Sequence, residues 1–149
     1  MSIFNFRKWD NRGTTMIADF VRQILINAGT PAEEIDLRDQ DYRGISDADF
    51  EQIKEIYCPF GDIPYREKVF ECEDFVYRLW AHIVEGWADK TKTSDALALA
   101  CGFMGGVNAD GGGHAWFWRI DEQGVLKFYE GQTGQLMARQ PLSIYSAEA

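Results

Sequence analysis

The apolar positions change their period along the chain. From Thr14 to Ala28 they fall at Ile17, Phe20, Val21, Ile24, Leu25 and Ala28, the spacing of one face of an amphipathic helix. Gly29 and Pro31 follow as stop signals. Ser46, with Asp49 three residues on, predicts an N-cap for a short helix through Tyr57 that carries Phe50, Ile53 and Ile56. Cys58 to Pro64 reads as a loop. The clearest helical stripe is Phe75, Val76, Leu79, Trp80, Ile83 and Val84, predicting a helix from about Glu73 to Glu85 that ends at Gly86. Ala88 to Asp95 is polar and aperiodic.

Beyond that stretch the period shortens. Leu97 to Met104 is a nearly continuous apolar run read as a strand, and it ends in Gly105 and Gly106. After a glycine-rich connector, Asn108 to Gly113, the chain alternates from His114 to Ile120. His114, Trp116, Trp118 and Ile120 share one face, and Ala115, Phe117 and Arg119 the other. Asp121 to Gly124 predicts a hairpin turn, with Val125 to Glu130 as the return strand and Ile120 opposite Val125. This order predicts an α+β fold: N-terminal helices, then a central helix packed on the Trp116 face of an antiparallel sheet.

Composition narrows the function classes. The chain has 149 residues, enough for one domain with a real core, and residues 1–149 are read as a single domain. With 46% hydrophobic and 14% aromatic residues it is not a disordered chain. A formal charge of −9 opposes binding to phosphate backbones and to anionic membranes. The N-terminus has no signal-peptide pattern and no run spans a bilayer, so a cytoplasmic location is expected, in the producing cell or in a host. Three cysteines without a C-x-x-C pair or a Cys/His cluster suggest neither a disulfide framework nor a metal, and no cofactor is implied.

Cys72 opens the predicted central helix, where the helix dipole favours a thiolate, although Glu71, Glu73 and Asp74 oppose it. His114 begins a strand, and Glu130 or Gln132 sits near the end of the paired strand, each able to fix the imidazole tautomer. A thiol, an imidazole and an acid or amide are the parts of a nucleophilic site. His82, inside the helix, reads as a surface or packing residue. Cys58 and Cys101 read as buried and inert.

These residues resemble the papain-like and transglutaminase-like cysteine superfamily. Gly113-His114-Ala115-Trp116 is similar to its Gly-His-Ala-Trp strand, Glu130 with Thr133 to its acidic third position, and Cys72-Glu73-Asp74-Phe75 to a helix start of phage-type and bacterial members. The resemblance spans about residues 71–134. It implies a small cysteine hydrolase or acyl-transfer enzyme acting on a peptide or protein substrate. Cys72 would be the nucleophile, His114 the base, Glu130 or Gln132 the orienting group, and Asp74, Gly113 and Trp116 the substrate contacts, although Trp116 and Trp118 also suit the core. The alternative is a non-catalytic binding protein, lectin-like or phage-associated. There Glu71, Glu73 and Asp74 would hold a sugar or a hard cation, with Phe117 and Trp87 as ligand contacts. A third reading is an acidic inhibitor acting through its surface charge.

Overall fold

A computed structural model describes residues 9–68, 70–91 and 96–149. The expectations for residues 1–8 and for 92–95 lie outside the described residues. The described chain forms two sheets and three α-helices. In chain order these are β1 (Thr14–Ile17), α1 (Ala18–Asn27), β2 (Ile35–Asp36), β3 (Asp41–Gly44), α2 (Asp47–Tyr57), α3 (Cys72–Lys90), β4 (Ala98–Leu99), β5 (Cys101–Val107), β6 (Gly113–Ile120), β7 (Leu126–Tyr129) and β8 (Ser143–Glu148). The smaller sheet runs β1-β3-β4 and the larger β2-β8-β5-β6-β7. Pairs β3/β4 and β2/β8 are parallel and the rest antiparallel.

This corrects the expected fold class. Helices do not precede a single antiparallel sheet of papain/transglutaminase type. A strand comes first, two more lie between the first and second helices, and the strands divide between two sheets. The segment read as the start of the first helix, Thr14 to Ile17, is β1, antiparallel to β3 with Thr14 opposite Gly44. Its β-branched residues suit an extended backbone, and the helical period holds only from Ala18. Within α1 only Val21 and Leu25 are buried. The second helix begins where its cap predicts, with the Asp49 amide donating to Ser46 Oγ at 3.1 Å.

α3 runs well past Gly86. That glycine does not end the helix; it lets α2 approach. A Cβ there would lie 2.6 Å from Tyr57 Cδ2 and 2.7 Å from Ile53 Cγ2. Phe75, Val76, Leu79 and Ile83 are buried as the stripe predicts, but Trp87 replaces Val84, which is 45% exposed, and Trp80 is only half-buried.

The face that α3 covers is the opposite of the expected one. Val76, Leu79 and Ile83, with Phe50 and Ile53 of α2, pack on Ala115, Phe117 and Tyr129. Trp116, Trp118, Ile120 and Phe128 pack on the other face, against Val21 and Leu25 of α1 and against Met104 and Ile144. Both faces of β6 are apolar, so its alternation separates two faces without saying which helix takes which. Arg119, opposite Lys127 of β7, is the charged residue that β6 places on the α2/α3 face. It is 2% exposed, and its guanidinium donates to the Tyr129 hydroxyl, to the Ile45 carbonyl and to Asp47, 4.5 Å over the Phe50 ring.

The β6–β7 register is one residue off the expectation. Ile120 faces Leu126, and Phe117 faces Tyr129. Asp121 causes the slip. Its carboxylate accepts from the amides of Gln123 and Val125, at 2.9 and 3.0 Å, and so draws Val125 into the turn.

The packing sets a stability order. We predict that Phe117→Ala costs about 3–5 kcal/mol and Trp80→Ala distinctly less, because only the first empties a fully enclosed site. Urea denaturation midpoints of the two variants check this; equal losses would refute the assignment of β6 as the shared wall of both cores.

Candidate functional site

The first turn of α3 is fixed by a reciprocal cap. The Glu71 side chain accepts from the helix amide three residues on, and the Glu71 amide donates to Asp74 Oδ2 at 2.9 Å. Glu71 also accepts from the Lys68 amide at 3.0 Å. Cys72 is therefore the first helical residue, held at a defined height beside the start of β6. Asp74, expected as a substrate contact, spends its carboxylate on this cap. The same holds for the cation-binding role considered for Glu71, Glu73 and Asp74: no group of three or more His, Cys, Asp or Glu among the described residues could hold a metal ion.

β6 delivers His114 to the same end of the sheet. His114 Nε2 lies 2.8 Å from Glu130 Oε2, so Glu130 and not Gln132 is its partner. β7 ends at Tyr129 and the chain turns at Glu130, whose amide donates to the Gln135 carbonyl, and a close contact holds the turn in place. Gly131 sits against the first turn of α3, where a Cβ would meet the Val76 amide nitrogen at 2.7 Å. Gln132 instead borders a very small pocket with Cys58, Arg78 and His82. His82 pairs with Glu85 at 3.7 Å on the same helix.

Cys72 and His114 line one open cleft of about 510 Å3. Gly105, Gly106 and Gly113 lie in it without side chains, and Tyr77, Phe103, Tyr145, Ser146 and Glu73 also border it. Tyr77 stacks on Phe103 at 4.6 Å between centroids, and its hydroxyl donates to Glu148 at 2.6 Å. Tyr145 stands 58% exposed. The Cys72 thiol donates to Glu73 Oε2 at 3.2 Å, while backbone amides of Ala115 and Glu73 point to the sulfur. Burial first, and the Glu73 bond second, raise the thiol above its ordinary pKa, with the two amides opposing. The Glu130 bond raises the pKa of His114 against the effect of burial. Cys58 and Cys101 are unpaired and buried, and burial pushes both thiols up to about 12.

Of the expected site residues, the structure brings together Cys72, His114, Glu130 and Gly113. Trp116 is fully buried and belongs to the core. Phe117 and Trp87, considered as exposed ligand contacts, are buried too, because β6 is covered on both faces and α3 continues past Gly86. The sequence reading missed Tyr145 and Ser146. Their strand, β8, shifts register against β5 between Gly105 and Gly106, and that irregularity breaks the alternation that would have revealed it.

The comparisons with known proteins point away from the superfamily suggested by the Gly-His-Ala-Trp strand. A sequence model of the family described as Agglutinin C-terminal matches residues 48–136. A structure titled PSL1a-E64 complex superposes with a TM-score of 0.74 at 21% identity, over 91% of this chain and 51% of that one. A structure of Polyporus squamosus lectin, titled as bound to the human-type influenza-binding epitope Neu5Aca2-6Galb1-4GlcNAc, gives the same TM-score and identity over 91% of this chain and 49% of that one. The chain thus spans about half the length of these two solved chains. No curated protein matches it. The papain/transglutaminase-like resemblance, with its hydrolase reading, is corrected accordingly: a four-residue strand motif and a helix-start cysteine recur outside that superfamily. No helix among the described residues is long and apolar enough to cross a membrane.

The His114–Glu130 pair makes a pH prediction. A histidine whose folded pKa is raised stabilises the fold fully below its unfolded pKa of about 6.5, and the contribution is lost as pH rises through the folded value. Glu130→Gln is therefore expected to destabilise the protein more at about pH 5.5 than at about pH 9, measured by urea midpoints. An equal effect at both would mean that the two side chains carry no charge coupling.

Proposed function

We propose that this chain, which belongs to the agglutinin C-terminal family, is a ligand-binding module that takes a saccharide in the cleft between Cys72, His114 and Tyr145. The observation that carries the reading is the construction of that cleft. A glycine-lined floor leaves backbone groups within reach of a ligand, as Gly105, Gly106 and Gly113 do here. Around it stand a half-buried imidazole, a carboxylate and the Ser146 hydroxyl, which are donors and acceptors for sugar hydroxyls. Tyr145 offers an exposed ring on which the apolar face of a sugar ring can rest. The titled glycan of the Polyporus squamosus lectin supports the ligand class. The carboxylates of Glu73 and Glu130 and the charge of −9 favour a neutral sugar over one bearing a carboxylate.

Calorimetric titration tests this with Galβ1-4GlcNAc and with Neu5Acα2-6Galβ1-4GlcNAc. The neutral disaccharide is expected to bind at least as tightly as the sialylated form, and Tyr145→Ala to weaken it about tenfold or more. Binding of neither sugar, or binding indifferent to Tyr145→Ala and His114→Ala, would sink the reading.

One observation favours a second reading. Cys72 shares the cleft with an imidazole already bonded to Glu130, and two amides point to its sulfur. In this reading Cys72 is the nucleophile toward a bound ligand, His114 takes its proton, and Glu130 orients the ring. The titled complex of PSL1a with E64 supplies the probe. A covalent E64 adduct on the intact chain, absent in Cys72→Ala, would establish this reading; its absence would leave the cleft a binding site only.

A further inference from the structure

The thiol of Cys72 bonds to one carboxylate at the cleft and shares the cleft with an imidazole. Its bond runs to Glu73 Oε2 at 3.2 Å, on the adjacent residue of α3, while His114 lies across the same cleft with its Nε2 committed to Glu130. The imidazole nitrogen left for a thiol proton is Nδ1. A carboxylate cannot leave a thiolate beside it without repulsion, so a thiol that donates to Glu73 stays protonated. The remaining groups around the sulfur do not offset that charge. Glu71 and Asp74 occupy the helix cap, Tyr77 donates to Glu148, and Tyr145 flanks the cleft from β8. Tyr65, on the loop before α3, is close enough to sense Glu71, Cys72, Glu67 and Glu73 together. The amides of Ala115 and Glu73 act the other way and favour the anion.

We infer that Glu73 is a positioning residue that restrains the site: its carboxylate takes the hydrogen bond of the Cys72 thiol and keeps that proton from His114. The inference rests on the reading of Cys72 and His114 as a reactive pair. When the carboxylate is withdrawn or neutralised, the S–H bond breaks, the proton passes to His114 Nδ1, and the electron pair stays on sulfur. The product is a thiolate beside an imidazolium that Glu130 stabilises. Glu73 makes and breaks no covalent bond in this scheme. It sets the resting proton position, and any ligand group that draws it aside releases the thiol.

Alkylation by iodoacetamide reads this directly, since sulfur forms the new S–C bond and iodide leaves. The rate at Cys72 is followed by peptide mass across pH, in the full chain, for wild type, Glu73→Gln and Glu73→Gln/His114→Ala, with circular dichroism confirming that each is folded. Glu73→Gln is expected to lower the midpoint of the rate profile by about one pH unit and to raise the rate near neutral pH by about tenfold. The gain should persist in about 0.5 M salt, which screens distant charges but not a contact. In the double variant the gain should vanish. A Glu73→Gln rate equal to or below wild type, or a gain that salt abolishes, overturns the restraint while leaving the reactive pair standing. A gain that survives His114→Ala overturns the pair itself, and the proposal with it.

Discussion

The structure depends on one strand being out of water on both faces. Ala115 to Ile120 of β6 are all buried, with Phe117 against α2 and α3 and with Trp116 and Trp118 against α1. Burial on this scale is the dominant favourable term in folding, and it works here only because the flanking helices come from distant parts of the chain. The buried charge of β6 on the α2/α3 face, Arg119, sits against two aromatic rings with its donors bonded to Tyr129, Ile45 and Asp47. A buried guanidinium with its donors paired also fixes the register, since a slip would move it to the other core.

The cleft follows from that arrangement. Where β6 leaves the double core at Gly113 and His114, the sheet runs out of side chains, and the capped start of α3 overhangs it. The close approach of Gly131 to Val76 then places Glu130 behind His114. The same packing that secures the core thus brings thiol, imidazole and carboxylate to one end of the sheet, on separate elements. A saccharide would meet a largely pre-formed surface, with Tyr145 as the exposed wall.

Two electrostatic tendencies oppose each other at the site. Glu130 favours a charged His114, while Glu73 and burial favour a neutral thiol. Each of the two side chains is hydrogen-bonded to its own neighbouring carboxylate, Cys72 to Glu73 and His114 to Glu130. Whether the cleft only binds or also reacts turns on moving one proton across it.

The sequence by itself determined the local features that rest on contacts between near neighbours. The Ser46 cap and α2, most of the buried stripe of α3, the alternation of β6 and the turn at Asp121 were all legible, and Cys72 and His114, read together from the sequence, line one cleft. The tertiary structure decided what local pattern leaves degenerate. Both faces of β6 are apolar, so only packing chose the face for α3. Gly86 read as a stop, yet the approach of α2 required it inside the helix. Glu130 and Gln132 were both candidates; β7 ends at Tyr129 and the chain turns there, with the Glu130 amide bonded to the Gln135 carbonyl, so that Glu130 is the one that meets His114. The likeness of motif to the cysteine superfamily rested on a few short pieces, whereas the family is shown by a sequence match that runs over residues 48–136.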